Sequence, residues 1–188
     1  MKLYDITQEM FSSVVYPGDP APKGEQVKWI AKGDVCNLTF LTQCAHNGTH
    51  MDAPRHFVDG GKGIDEIPLE VCVGDAYVLD CNGIFTAEDA AKIPAGCVRL
   101  LLRGGVPDVG GAQAVVKAGV RLIGVEHQSV GGDGNTAAVH KILLGAEIAV
   151  LEGIRLAAVP AGEYFLFAAP INYGGIDGAP VRAVLTEK

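Results

Sequence analysis

Residues 46–56 place three histidines and one aspartate close together in the chain: His46, His50, Asp52 and His56. The whole protein has five histidines, so more than half of them stand in this short segment. Imidazoles and carboxylates are the side chains that bind zinc, manganese and similar divalent metals. The types and spacing of these residues therefore predict a metal site, and a bound metal can activate a water molecule for hydrolysis.

The four side chains also share the phase of an extended strand. They stand at even offsets from one another, so on an extended chain they point to the same side. His46 and His50 would also share a face of a helix, but Gly48 and Pro54 make a helix unfavourable here. The segment is predicted to be a strand that runs out into a loop. The plainer alternative is a polar loop with incidental histidines.

The composition is that of an ordinary globular protein, with 48% hydrophobic and 20% charged residues. A length of 188 residues favours one domain spanning residues 1–188. The net charge is −7 and no basic run is present, which argues against nucleic acid or an anionic membrane as a partner. No apolar run approaches the roughly 18 residues of a membrane span, and the N-terminus shows no secretory signal.

The five cysteines are scattered and form no Cys-x-x-Cys pair. Their odd number fits reduced thiols, and hence a cytoplasmic protein, better than a disulfide framework or a cysteine-based zinc site. Cys44 shares the strand phase of His46. It is interpreted as a small buried core residue rather than as a part of the metal site.

The elements that must position these residues alternate between strands and helices in the second half of the chain. Thr86 is a plausible N-cap for one helix, and Gly145 is expected to end another. The alternation predicts an α/β domain with at least some parallel strand pairing. Strands are predicted at residues 2–6, 27–31, 38–43, 76–80, 98–102, 120–125, 147–151, 164–168 and 181–185, and helices from 86, over 112–118 and over 135–144.

Further metal ligands should come from elsewhere in the chain, and two candidates stand out. His140 lies on the predicted helix 135–144, where a lone histidine is otherwise a surface or hydrogen-bonded residue. Glu152 ends an apolar strand in phase with Ile148 and Val150, and a carboxylate buried there is costly unless it is paired or ligated. His127 follows a strand end, where α/β sheets place ligand sites, and is considered only as a pocket-lining residue.

His56 differs from the other three residues of the segment because it follows Pro54, where the chain is expected to turn. It is therefore expected to leave the plane of the ligands. A neutral imidazole beside a metal-bound water can act as a general acid or base near neutral pH. This role is preferred for His56 over that of a metal ligand.

Residues 46–57 resemble the H-x-G-T-H-x-D-x-P-x-H signature of the cyclase family, which includes bacterial kynurenine formamidases and related metal-dependent hydrolases of cyclic amides. The resemblance extends along most of the chain. Residues 15–19 resemble the family's N-terminal loop, in which an aromatic residue lines the substrate pocket. His140 and the Leu-Glu-Gly sequence at 151–153 resemble the C-terminal ligand pair, and residues 180–185 resemble the closing strand.

The resemblance implies a centre for one or two divalent metals per chain, with Zn²⁺ or Mn²⁺ as the preferred ions. His46, His50 and Asp52 would hold the first metal. Asp52, His140 and Glu152 would hold the second, so that Asp52 would bridge the two positions.

The resemblance also implies that His56 is the acid/base and that Tyr16 is the pocket aromatic. The expected fold is a compact single α/β domain with a mixed β-sheet and a barrel-like core flanked by helices, of the swivelling β/β/α type. Family members are commonly dimers or larger, so a homodimer or homotetramer with pockets near the subunit interface is expected.

One segment departs from the family pattern and affects the expected substrate. Formamidases of the family usually carry a Thr-Pro-Ser-type segment where this chain has residues 126–132. The leading expectation is an arylformamidase-like hydrolase of an amide carbon–nitrogen bond, with N-formylkynurenine of tryptophan catabolism as one candidate substrate. Two alternatives remain open: a hydrolase of a cyclic amide, imide or lactone on the same site, and a non-catalytic module that binds a metal or ligand.

Overall fold

The computed structural model describes residues 1–132 and 134–188, and in that part of the chain eleven strands and three α-helices form an α/β domain. The strands are β1 (Leu3–Asp5), β2 (Lys23–Lys28), β3 (Leu38–Thr42), β4 (His50–Asp52), β5 (Val73–Phe85), β6 (Arg99–Pro107), β7 (Leu122–Val125), β8 (Ala149–Glu152), β9 (Gly162–Phe167), β10 (Gly178–Pro180) and β11 (Val184–Glu187). The helices are α1 (Leu69–Cys72), α2 (Val109–Lys117) and α3 (Thr136–Gly145).

Nine strands form one mixed sheet in the order β1-β11-β9-β5-β6-β7-β8-β4-β10, and β2 and β3 form a separate hairpin. The central strands β5, β6, β7 and β8 are parallel, which confirms the parallel pairing predicted from the alternation of strands and helices. The outer pairs on both sides are antiparallel. The mixed sheet confirms the expected fold class.

The sheet curls until its two edges nearly meet. β10 ends at Pro180 on one edge and β11 begins at Val184 near the other, so only residues 181–183 join them. Three residues span no more than about 11 Å. Tyr4 of one edge strand and Ala179 of the opposite edge strand belong to the same buried cluster. The core is therefore barrel-like, as expected.

The central strands are buried on both faces. In β6, Leu101 packs in the core that the curled sheet encloses, whereas Leu100 and Leu102 pack on the other face with side chains of α2 and α3. Burying each of these leucines contributes about 1.5–3 kcal/mol. A strand covered on both faces needs no polar alternation, which explains the continuous Leu-Leu-Leu run at 100–102.

Two predicted elements contain a 3₁₀ turn or helix where a strand or an α-helix was expected. The strand expected at 27–31 stops at Lys28, and Ile30–Lys32 forms a 3₁₀ turn instead. The carboxylate of Asp34 accepts the N–H of Trp29 at 2.7 Å. Side-chain acceptors of this kind compete with strand pairing for the backbone donors. The helix expected from Thr86 is a 3₁₀ helix over Ala87–Lys92, since the proline at position 94 disfavours continuation.

The closing strand expected at 181–185 begins later, at Val184. Residues 181–183 instead cross from one edge of the sheet to the other. Along this crossing Val181 donates its N–H to the carbonyl of Thr49 at 2.9 Å, and Ala183 accepts from the N–H of Ile6 at 3.0 Å. Among the residues that the structure describes, no helix has the length and apolar character needed to cross a membrane.

Candidate metal centre

Strand β4 carries two of the predicted metal ligands. His50 and Asp52 alternate along β4 and so face the same side, and they are 1% and 0% exposed. β4 pairs antiparallel with β8 in a register that places His50 opposite Glu152. Directly opposed residues of neighbouring strands lie close together, and here His50 Nε2 is 3.2 Å from Glu152 Oε2.

His46 lies in a turn before β4, so the predicted strand begins only at His50 and runs out into the expected loop after Asp52. The turn is closed by Asn47, whose side-chain oxygen accepts the N–H of Cys44 at 2.8 Å. Gly48 has a φ of +65°, in the left-handed region that favours glycine. The turn directs His46 Nδ1 to within 2.8 Å of Asp52 Oδ1. A turn, rather than strand alternation, therefore brings His46 into the site.

Helix α3 brings His140 to the same place from the other half of the chain. Its Nε2 lies 3.2 Å from Glu152 Oε1 and 3.4 Å from Asp52 Oδ2. His140 and Glu152 are 2% and 3% exposed. Glu152 Oε1 also accepts the N–H of Val130 at 2.6 Å, which fixes the orientation of the carboxylate. The structure therefore brings together all five predicted ligands.

The two oxygens of Asp52 face different groups of ligands. Oδ1 lies 2.8 Å from His46 Nδ1 and 3.4 Å from His50 Nε2, whereas Oδ2 lies on the side of His140. Asp52 Oδ2 is buried and makes no hydrogen bond with any residue that the structure describes. Its nearest polar neighbour is His140 Nε2 at 3.4 Å, so this buried acceptor is incompletely satisfied and a cation beside it would complete its interactions. The donor set of imidazoles and carboxylates fits a divalent metal.

Hydrogen bonds behind the imidazoles determine which ring nitrogen faces the site. His50 Nδ1–H donates to the carbonyl of Gly48 at 3.1 Å, and His140 Nδ1–H donates to the carbonyl of Thr136 at 2.7 Å. A carbonyl oxygen only accepts, so both Nδ1 atoms must carry the proton. Nε2 of each ring is then the atom directed toward Asp52 and Glu152, as is typical of histidine ligands.

The centre holds a dense set of buried ionisable side chains. Burial by itself lowers the pKa of His46 and His140, but hydrogen bonds to carboxylates outweigh it and raise both pKa values to about 10. Burial likewise raises the pKa of Asp52, whereas His140 and His46 hold it well below its usual range. Without a metal, protonated imidazoles therefore balance the buried carboxylates. A bound divalent cation would take over that balance and release protons.

His56 stands next to the ligands in a 3₁₀ helix, Pro54–His56, after the expected turn of the chain. Its ring stacks on that of His46 with centroids 4.0 Å apart. Burial lowers the pKa of His56, so its imidazole is neutral near pH 7. His46, Asp52 and His56 each offer a ligand atom within 4.8 Å of the others. The geometry is therefore compatible with both an acid/base role and a ligand role for His56.

A cavity of about 200 Å³ opens onto the centre. Tyr16 lines it, as the resemblance implied, and Phe57 forms another aromatic wall by stacking on His140 with centroids 4.3 Å apart. The described residues that line the cavity are Tyr16, Asp19, His46, His50, His56, Phe57, Gln128, Ser129, Thr136, His140 and Glu152.

His127, which was considered as a pocket-lining residue, is exposed and is not among the residues that line the cavity. Gln128 and Ser129 line the cavity instead. Both belong to residues 126–132, the segment that departs from the family pattern. The side chain of Gln128 is fixed in position, because its amide N–H donates to the carbonyl of Gly48 at 2.9 Å. Ser129 Oγ is buried without a hydrogen-bond partner in the described part of the chain.

Asp177 is a residue of the site that the sequence reasoning missed. Its Oδ2 lies 2.9 Å from His46 Nε2 and 3.3 Å from His56 Nδ1. It stands 131 positions from His46 in the chain, outside any ligand-like spacing. The only local signal is its position between Gly174-Gly175-Ile176 and Gly178, where glycines allow a close approach of the backbone.

Comparisons with known proteins agree with this geometry. A family model named Cyclase matches residues 4–101. A kynurenine formamidase from Salinibacter ruber is 35% identical over 211 aligned residues, which cover 100% of this chain and 98% of that protein. A solved structure described as a potential metal-dependent hydrolase with cyclase activity has a TM-score of 0.85 at 28% identity and covers 100% of this chain and 99% of its own.

A more distant structure shares the fold. Isatin hydrolase A from Labrenzia aggregata, solved with benzyl benzoate bound, has a TM-score of 0.84 at 22% identity. The match covers 98% of this chain and 93% of that one. At this identity the likeness shows the fold alone.

Proposed function

The chain belongs to the cyclase family, and from that premise we propose that the buried centre binds two divalent metals and that His56 transfers protons during amide hydrolysis. The observation that carries the proposal is the position of Asp52. One of its oxygens faces His46 and His50, and the other faces His140 and has no other partner in the described chain. A bridging carboxylate between two cations has this arrangement. The proposed metal ligands are His46, His50, Asp52, His140 and Glu152.

The protein is a metal-dependent hydrolase of amide bonds that acts on a small molecule. A divalent metal in the centre would lower the pKa of a bound water to about 7, from 15.7 in bulk, and would polarise the amide carbonyl. The neutral imidazole of His56 lines the cavity beside His46 and would take the proton of the attacking water. The same imidazole would then return this proton to the leaving nitrogen.

Other residues orient and shield the reacting groups. Glu152 is held by the backbone N–H of Val130, so its two oxygens keep their directions toward His140 and His50. Phe57 covers the ring of His140 and excludes water from that side. Zinc and manganese both suit this set of nitrogen and oxygen ligands, and we propose one of these two as the resident ion.

The preferred substrate is an aryl formamide, of which N-formylkynurenine is the leading candidate. Support comes from the aromatic walls formed by Tyr16 and Phe57 and from the 35% identity to a kynurenine formamidase over the whole chain. Such an activity would belong to tryptophan catabolism.

A cyclic amide, imide or lactone is the second candidate, and one observation favours it. Among the described residues that line the cavity there is no lysine or arginine to pair with the carboxylate of an amino-acid substrate. A volume of about 200 Å³ is also below the roughly 300–1,000 Å³ usual for ligand pockets. Both features suit a compact neutral ring.

Metal stoichiometry tests the centre directly. Protein stripped with a chelator and then reconstituted with zinc or manganese is expected to hold close to two metal atoms per chain by elemental analysis. A value near one would contradict the bridged centre and leave His140 and Glu152 as structural or substrate-contacting residues. No bound metal would favour a non-catalytic module and remove the proposed mechanism.

Rates of the reconstituted protein on two substrates separate the candidate reactions. Release of formate from N-formylkynurenine, followed enzymatically, is expected for the first candidate. Ring opening of isatin, followed by its absorbance, is expected for the second. The ratio of kcat/KM for N-formylkynurenine to kcat/KM for isatin decides between the two candidates. A ratio of about tenfold in either direction corresponds to about 1.4 kcal/mol of transition-state discrimination.

We also propose that residues 1–188 work as one domain in a homodimer or homotetramer. The hairpin arm, residues 23–42, is exposed on both faces and carries large apolar side chains. A lone two-stranded hairpin is at best marginally stable in water, and a second copy of the chain would cover it. The exposed apolar side chains of the arm are Val27, Trp29, Ile30, Val35, Leu38, Phe40 and Leu41.

A change in the arm tests this assembly. The wild-type protein is expected to scatter light with at least twice the chain mass of 19.6 kDa, and the variant Phe40→Glu with the mass of a single chain, because a charge there cannot be buried against a partner. Leu69→Glu is the control, since Leu69 is equally exposed but lies on α1, away from the arm. A monomeric wild type would contradict the proposal. A cytoplasmic location stays a prediction, supported by five free cysteines.

A further inference from the structure

Asp177 is the one charged side chain of the described structure that contacts both His46 and His56 from behind the centre. One oxygen, Oδ2, serves both rings, at 2.9 Å from His46 Nε2 and at 3.3 Å from His56 Nδ1. The opposite nitrogen of His46, Nδ1, is the atom that faces Asp52. The two rings stack with an interplanar angle of 29°. A single carboxylate oxygen therefore ties a proposed metal ligand to the proposed acid/base.

The backbone around Asp177 is fixed against the loop that carries these histidines. Ala53 donates its N–H to the carbonyl of Asp177 at 2.9 Å, and Ile64 donates to the carbonyl of Ile176 at 2.8 Å. Immediately after Asp177, β10 pairs with β4 in a register that sets Gly178 opposite Asp52. The position of the carboxylate thus follows from the same strand pairing that builds the metal centre.

Gly178 permits the close approach of this segment to His46. A Cβ atom at position 178 would lie 2.7 Å from His46 Cε1 and 2.9 Å from the carbonyl oxygen of Met51. No real Cβ makes contacts this short, so a side chain would displace the ring or the strand. The imidazole of His46 is therefore confined between Gly178 on one side and His56 on the other, with a carboxylate at each nitrogen.

We propose that Asp177 is a positioning residue for both steps that the centre needs, an inference that rests on the proposed function. By accepting the Nε2–H of His46, it directs Nδ1 of that ring toward the metal position beside Asp52. By engaging Nδ1 of His56, it leaves Nε2 as the ring nitrogen that exchanges a proton with the substrate. Carboxylates behind metal-binding histidines orient the ring and increase its basicity in this way.

Asp177 does not line the cavity, and this predicts how its removal should affect the kinetics. In Asp177→Ala the metal affinity is expected to fall by about 10–100-fold, the range usual for outer partners of metal ligands. With metal at saturation, kcat should fall by a further factor of about ten or more while KM stays unchanged, because His56 loses its orientation and the substrate loses no contact. Asp177→Asn should recover most of the metal affinity, because its amide oxygen still accepts from His46.

Asp65 provides a matched structural control. Its carboxylate also holds the segment before β10, accepting the N–H of Gly175 at 2.8 Å, but no contact with an imidazole is seen among the described residues. Asp65→Ala removes the same charge and loosens the same segment. If its metal affinity, measured by competition with a chelator, falls as far as that of Asp177→Ala, the effect belongs to the backbone and the proposal is wrong.

A measurement on the metal-free protein separates this proposal from the function on which it rests. A hydrogen-bonded imidazole N–H gives a downfield proton resonance in NMR spectra, irrespective of metal or substrate. The wild type is expected to show the resonance of His46 Nε2–H, and Asp177→Ala is expected to lose it. Wild-type affinity and an unchanged resonance in Asp177→Ala would overturn the positioning role, whereas absence of metal binding in the wild type would overturn the proposed function alone.

Discussion

The variant Asp52→Ala is expected to lose both metals and nearly all activity. In the proposed centre each metal position would use one oxygen of this carboxylate, since one oxygen faces His46 and the other faces His140. A single change would then remove a ligand from both positions. Loss of a partner outside the coordination sphere already costs 10–100-fold in affinity, and we expect more than about 100-fold for a bridging ligand. A metal supplies several kcal/mol of transition-state stabilisation, so kcat/KM should fall by about 10³-fold or more.

Metal content after dialysis and kcat/KM with added metal measure the two effects of Asp52→Ala separately. Asp59→Ala is the control, because Asp59 is an exposed aspartate of the same loop; it should keep two metals and full activity. Circular dichroism establishes whether each variant is folded. Retained activity in a folded Asp52→Ala protein, or the loss of only one metal, would refute the bridging assignment.

The variant His56→Ala is expected to keep both metals and lose most of its turnover. The five proposed ligands remain in place, whereas the imidazole that we propose exchanges protons with the water and the leaving group is removed. General acid–base catalysis of this kind contributes about 10²–10⁴-fold. A loss of that size in kcat, with a metal content near two per chain, is the expected result.

His127→Ala is the matched control for the change at His56, since His127 is an exposed histidine that does not line the cavity. This control should retain wild-type kcat and metal content. The geometry also fits a ligand role for His56, because His56 offers a ligand atom within 4.8 Å of those of His46 and Asp52. If His56→Ala drops to one metal per chain, then His56 is a ligand and the acid/base must be another group.

Much of the centre could be predicted from residue types and spacing. His46, His50 and Asp52 stand within seven positions of one another, and so short a stretch must bring them together in almost any compact conformation. The helix that carries His140 and the buried strand that ends at Glu152 also follow from local patterns, because apolar periodicity reports which face of an element is covered. For these two elements the structure differs from the prediction only in the first and last residues.

The local geometry of the segment was harder to predict. Even spacing suggested one strand, yet only residues 50–52 pair with neighbouring strands. His46 reaches the site through a turn in which Gly48 takes a positive φ, and His56 does so through a 3₁₀ helix after Pro54. Glycine and proline in the sequence disfavour an α-helix, but they do not specify which of the remaining geometries, such as a turn or a 3₁₀ helix, is adopted.

The sequence by itself determined the class of chemistry of this protein: a family signature, a set of candidate nitrogen and oxygen ligands, and an α/β alternation to carry them. Only the tertiary structure decided that β4 pairs with β8 so that His50 meets Glu152, that the two oxygens of Asp52 face different ligands, and that Asp177 reaches both His46 and His56. The physical reason is distance along the chain. Neighbouring residues are held together by covalent geometry, whereas residues 131 positions apart meet only because β10 pairs with β4, which sets the residue after Asp177 opposite Asp52. That pairing depends on the packing of the whole core and on no single motif.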